Sequence, residues 1–167
     1  MTLAQVNALE KARFVALLGG VFEHSPWVAE GAWERRPFAS AKDLFAAMQD
    51  EVGEAATEAQ LALIRAHPEL AGKQGPLTKD SSSEQARLGF LSLDRSHFEQ
   101  MGELNRTYRQ RFGIPCVVAL KLHASRASVM AEMQRRLGNT RQAEIATALE
   151  QIGHIARHRL EKIVKEN

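Results

Sequence analysis

Apolar residues recur at helical spacing along almost the whole chain. Phe14, Leu17 and Leu18 followed by Gly19-Gly20 predict a short amphipathic helix with a glycine stop. Ser25-Pro26 predicts an N-cap with proline at the first helical position, opening a segment that holds Trp27, Val28 and Trp33. Ser40-Ala41-Lys42-Asp43 has the form of a capping box, with Leu44, Phe45 and Met48 as the apolar face behind it. Leu61, Leu63 and Ile64 lead into His67, and Pro68 ends that helix. Residues 72–80 are rich in Gly, Pro and Lys and predict a loop, and a longer helix runs over 93–112 until Gly113 and Pro115. The apolar run Cys116-Val117-Val118-Ala119-Leu120 is either extended or a buried helix, and periodicity does not decide. A helix starting at Ser125 or Ala127 ends at Leu137 before Gly138-Asn139, and Thr140 caps a last helix to about Val164. No repeat, low-complexity tract or long linker interrupts the pattern. The expectation is an all-α fold: a single compact helical domain over residues 1–167, with seven or eight helices.

The last helix carries a polar residue on its apolar face. Ile145, Leu149, Ile152, Ala156, Leu160 and Ile163 follow steps of three and four and form one stripe at roughly 100° per residue. Arg159 falls within that stripe, whereas His154 and His158 project from the opposite side and read as solvated side chains rather than a metal pair. An arginine on a core face needs an anion or several acceptors. A structural salt bridge and a ligand contact both meet that need.

His67 follows Leu63 and Ile64 at helical spacing and leans toward the apolar face. At a helix C-terminus, unpaired carbonyls and the helix dipole favour a protonated imidazole, while burial pushes the other way. Such opposed terms suit a proton-transfer group; they suit equally a histidine that only caps carbonyls. Ser81-x-x-Glu84 has capping-box spacing, and the same helix start could turn Ser81, Glu84 or free amides toward a polar ligand.

Composition narrows the class. Apolar residues make up 44% and charged residues 25% of 167, as in ordinary globular domains. The net charge of +2 and the absence of a basic stripe argue against nucleic acid. The lone Cys116 excludes an internal disulfide and a cysteine zinc site, and has no neighbouring cationic motif to activate it. No apolar run approaches the roughly 20 residues of a membrane span. Met1 to Gln5 lacks the regions of a secretory signal. A cytoplasmic location follows as the expectation. No metal cluster, phosphate loop or nucleophile motif stands out.

Five segments in order resemble the family of 2-oxo-4-hydroxy-4-carboxy-5-ureidoimidazoline (OHCU) decarboxylases. They are Phe22 to Ala29 with Arg36-Pro37-Phe38; Ala66-His67-Pro68-Glu69-Leu70; Leu77-Thr78 with Ser81 to Gln85; Tyr108 to Pro115; and Ile155 to Leu160. The resemblance implies an all-α, cofactor-independent decarboxylase that forms (S)-allantoin in urate breakdown and assembles as a homodimer. It implies His67 as the acid–base residue, Glu84 as its pocket partner and Arg159 as the cationic contact. By the same resemblance Pro68, Ser81, Gln85 and the backbone after Pro115, at Cys116 and Val118, line the small-molecule substrate. Family members commonly have phenylalanine where this chain has Cys116. Main-chain contacts survive that change, and ring stacking does not.

Overall fold

The computed structural model describes residues 1–72 and 76–166. Of the loop expected over 72–80, residues 73–75 therefore lie outside the described residues. Among the described residues nine α-helices occur: α1 (Leu3–Asn7), α2 (Lys11–Leu18), α3 (Trp27–Trp33), α4 (Ala41–Glu54), α5 (Thr57–Ala66), α6 (Lys79–Arg87), α7 (Arg95–Phe112), α8 (Arg126–Arg136) and α9 (Arg141–Ile163). A 3-10 turn covers Leu120–Leu122. The fold is all-α as the periodicity predicts. The extra helix is α1, five residues long and stabilised by a reciprocal capping box between Thr2 and Gln5. No helix among the described residues is long and apolar enough to cross a membrane.

The chain forms two compact units. One comprises Met1–Ala66 with Ala156–Asn167, the other His67–Ile155. In the first, α2, α3 and α4 pack in sequence, and Phe14, Leu18, Leu44, Met48, Leu63 and Ile64 are fully buried. Phe14 stacks on Phe38 with ring centroids 6.4 Å apart. In the second unit Met101, Tyr108, Phe112, Ile114, Val129 and Met133 form the core. α7 ends where Gly113 turns into the left-handed region at φ 71°, a conformation glycine adopts without steric cost.

Helix starts follow side-chain capping, with two corrections to the sequence reading. Ser40, Asp94 and Ser125 each accept from the amide three residues on, and Thr140 accepts from Ala143 N at 3.2 Å. Ser25 does not cap α3. Its hydroxyl donates to the Glu23 carbonyl at 2.8 Å, and the helix begins after Pro26 with no side-chain cap. Ser81-x-x-Glu84 is not a capping box either. α6 starts earlier, with Thr78 as N-cap accepting from Ser81 N, so Ser81 stands inside the first turn.

The buried face of α9 bears out Arg159 and modifies the stripe around it. Ile152, Ala156, Arg159 and Leu160 are buried. Nearer the N-terminus Glu144, Ala148 and Gln151 are buried, while Ile145 and Leu149 are only half-buried. A polar network described below holds Glu144 inward. His154 is exposed on α9 and His158 half-buried.

Candidate functional site

His67 is the first residue after α5 and opens the second unit. It is buried, at 6% exposure, and Pro68 beside it is half-buried. Pro68 has a fixed φ and cannot continue the helix, so the chain turns over residues 67–72. The turn is tied by polar side chains from α6 and α7. Gln85 Oε1 accepts from Ala71 N at 3.0 Å, and Gln85 Nε2 donates to the Glu69 carbonyl at 3.4 Å. Asn105 Nδ2 donates to the Leu70 carbonyl at 2.8 Å. Arg109 forms an ion pair with the largely buried Glu69 carboxylate.

α6 presents Ser81 and Gln85, one helical step of four apart, on a single buried face. Glu84 is half-buried on the same helix. His67, Pro68, Ser81, Glu84 and Gln85 thus all belong to the second unit, and Gln85 is directly bonded to the turn that His67 begins. A cavity of 640 Å³ adjoins the same turn through Glu69, Ala71 and Gly72, but its lining does not include His67, Ser81 or Glu84.

The segment after Pro115 is non-helical up to Ala119. Of the two readings that periodicity left open, the chain takes the irregular one. Cys116 and Val118 are both buried. Arg136 Nη1 donates to the Val117 carbonyl at 2.7 Å, and Ala119 N donates to Gln151 Oε1 at 2.9 Å. Between these two anchors, the main chain of Val118 makes no hydrogen bond to the described residues. It offers one N–H and one C=O to a polar partner.

Arg136 belongs to a buried network that sequence reasoning did not assemble. Its Nε lies 3.0 Å from Glu144 Oε2, with both side chains at 1% exposure or less. Tyr108 also donates to that carboxylate, and Asn139 Nδ2 donates to Glu144 Oε1 at 2.8 Å. Burial pushes the Tyr108 hydroxyl above its ordinary range, and its hydrogen bond to the Glu144 carboxylate adds to the rise. Burial also pushes the Cys116 thiol up to about 12, although the nearby Arg136 cation opposes it. Cys116 is thus a buried neutral thiol, as expected, rather than a nucleophile.

In the first unit, Arg159 Nη1 donates to Glu23 Oε2 at 2.6 Å, and both side chains are almost fully buried. The salt-bridge reading of Arg159 is the one observed here. Glu23 is the residue the pattern missed. Its one sequence signal is an acid inside Phe22-Glu23-His24-Ser25-Pro26, between an apolar residue and a helix start. The turn that carries it is fixed by Ser25, whose amide donates to the Phe22 carbonyl at 3.1 Å. Among the described residues, the two non-glycine residues of positive φ are His24 (46°) and Ala71 (51°). One follows Glu23 directly, and the other closes the turn behind His67. Such strain persists only where surrounding contacts over-determine it, and it is concentrated at functional sites.

Comparison with known proteins gives a consistent result. The family model described as OHCU decarboxylase matches residues 7–161. The chain is 44% identical over 160 residues to the 2-oxo-4-hydroxy-4-carboxy-5-ureidoimidazoline decarboxylase of Haloferax volcanii, covering 96% of this chain and 94% of that one. It is 39% identical over 163 residues to the protein of the same name from Halalkalicoccus jeotgali, covering 98% and 92%. Among solved structures it resembles the crystal structure of an (S)-allantoin synthase with a TM-score of 0.80 and 28% identity, covering 98% of this chain and 54% of that longer one. The chain belongs to the OHCU decarboxylase family.

Proposed function

We propose that this chain decarboxylates OHCU to (S)-allantoin in the breakdown of urate. The observation that carries the reading is His67, a buried imidazole at the head of a turn whose backbone is bonded at three successive residues. The family relationship supplies the reaction, and the turn supplies a fixed proton-transfer group.

The substrate bears its carboxylate on a carbon that also carries a hydroxyl and adjoins a C=N bond. When the C–CO2 bond breaks, its electron pair moves toward that C=N bond, and carbon dioxide leaves. The substrate thus provides its own electron sink. What remains for the protein is proton transfer, charge stabilisation and a defined face for reprotonation. His67 moves a proton at the hydroxyl or at the developing enediamine. Glu84 orients the imidazole or accepts from the hydroxyl and ureido groups. Arg159 holds an anionic or carbonyl oxygen where water is scarce and such contacts are strongest. Pro68 and Ser81 line the substrate. The unengaged N–H and C=O of Val118 complement a ureide, which is itself both donor and acceptor, and Cys116 contributes main chain rather than a ring. Gln85, whose carboxamide is bonded at both ends to the turn, contributes by holding the site's shape. The same resemblance carries a homodimer, and a single reduced cysteine fits a cytoplasmic setting.

The test generates OHCU in place from urate with urate oxidase and hydroxyisourate hydrolase and follows circular dichroism. A rapid rise of optically active allantoin, lost in His67→Asn, is the expected outcome. Slow racemic decay unchanged by the protein would remove the decarboxylase reading. Wild-type turnover in His67→Asn would remove only the acid–base assignment.

A further inference from the structure

We propose that Asn105 is a positioning residue for His67, acting at a distance through the turn of residues 69–71. The inference rests on the reading of His67 as the acid–base group.

Asn105 stands on α7, at 6% exposure, and spends its Nδ2 on the Leu70 carbonyl at 2.8 Å. Its Oδ1 is buried and has no hydrogen-bond partner among the described residues. A buried acceptor without a partner is unfavourable, and an apolar side chain of similar size would avoid the loss. Packing alone does not explain an asparagine here. The one bond it makes does.

That bond is the middle member of a set. Glu69 is held through its carbonyl by Gln85 and through its carboxylate by Arg109, Leu70 by Asn105, and Ala71 through its amide by Gln85. The set has steric work to do. Ala71 sits at φ 51°, where its Cβ crowds the backbone and an L-residue does not rest unless it is held. Packing supplies only part of that restraint, because the 640 Å³ cavity adjoins the turn at Glu69, Ala71 and Gly72. Polar ties from α6 and α7 supply the rest.

The turn reaches His67 through Glu69 and Pro68. Pro68 has its φ locked and Glu69 is held by Gln85 and Arg109, so a change in direction at Leu70 or Ala71 is passed back in part to the Cα of His67. Release of the Leu70 carbonyl lets Ala71 relax toward negative φ and swings the imidazole off its line. Substrate contacts made by other residues stay in place. The signature is a fall in kcat with KM little changed, which separates positioning from binding.

The experiment compares the full-length wild type, His67→Asn, Asn105→Leu and the double variant Asn105→Leu/Ala71→Gly, by thermal melting and by kcat and KM in the dichroism assay. Asn105→Leu is expected to melt cooperatively and to lose about 100-fold in kcat with KM nearly constant, the cost of a misplacement on the order of 1 Å. Glycine takes positive φ freely, so Ala71→Gly in that background is expected to restore kcat by about tenfold. A merely structural asparagine would show neither the kcat-only loss nor the rescue. Wild-type kcat in Asn105→Leu, with His67→Asn inactive, would overturn the inference and leave the proposed function standing. So would a loss in Asn105→Leu that Ala71→Gly does not relieve. An active His67→Asn would instead sink the reading beneath it. If Asn105→Leu does not fold, Asn105→Ala takes its place in the same comparison.

Discussion

Arg159 and Glu23, 136 residues apart in the chain, meet in a 2.6 Å ion pair with both side chains buried in the first unit. A pair of this kind is expensive to break from one side, because a charge is then left in the interior. Glu23→Gln is therefore expected to lose about 3–5 kcal/mol of stability by urea titration. Arg159→Met fills much of the arginine's volume but leaves the Glu23 carboxylate buried without this cation, so it is expected to lose a similar amount. If Arg159→Met stays folded and also turns over at the wild-type rate, the arginine is structural and its assignment to substrate fails.

Arg136 is expected to behave differently, because it joins a buried pair to the main chain of the segment proposed to face substrate. It faces Glu144 at 3.0 Å and donates to the Val117 carbonyl at 2.7 Å. Arg136→Met should cost about 3–5 kcal/mol and, in the folded fraction, raise KM as residues 117–119 lose one of their two anchors. An unchanged KM in a variant confirmed to be folded would detach this segment from substrate recognition.

The start of α6 can be decided by caps. Thr78→Ala removes the acceptor for Ser81 N and is expected to cost about 1 kcal/mol in a urea melt. Ser81→Ala leaves that cap bond intact, since it is made by the Ser81 backbone amide. If Ser81→Ala rather than Thr78→Ala destabilised the protein in the manner of a lost cap, the helix would begin where the sequence pattern first suggested.

The comparison between Thr78 and Ser81 shows why some of this protein was legible in its sequence and some was not. Local periodicity and punctuation located α2, α4, α7, α8 and α9, since each has an apolar stripe bounded by caps, glycine or proline. Burial of Arg159 followed from its register with Ile152. At α6 two acceptable caps lie three residues apart, and the choice depends on burial of Ser81 and Gln85 on one face, which is tertiary information. Glu23 and Glu144 were invisible for the same reason. Their partners lie on other elements, and nothing local distinguishes an acid that will be buried from one that will be solvated. Of the candidate site, His67 was conspicuous because a proline stops its helix. Asn105 was not, because an asparagine within a polar helix reads as surface until its contact with Leu70 is seen.

Cys116 gives the chain a pH dependence whose sign follows from burial. In an unfolded chain a cysteine thiol ionises near about 8.5. In the fold, burial raises it to about 12. Below the unfolded value both states keep the proton, and the favourable contribution of the buried neutral thiol is fully present. Above it the unfolded chain releases its proton while the folded chain retains it, so unfolding becomes progressively easier until the folded thiol itself ionises. The melting temperature is therefore expected to fall between about pH 8.5 and pH 12. Tyr108, also raised by burial, adds to the fall once the pH passes its ordinary range near about 10. Cys116→Ala should flatten the part of the slope below that point while leaving the Tyr108 part, and native Cys116 should resist iodoacetamide at a pH where the denatured chain is alkylated readily. A slope between pH 8.5 and 10 that persists unchanged in Cys116→Ala would assign it to another group, and rapid alkylation of the native protein would show that the thiol is not held neutral in the core.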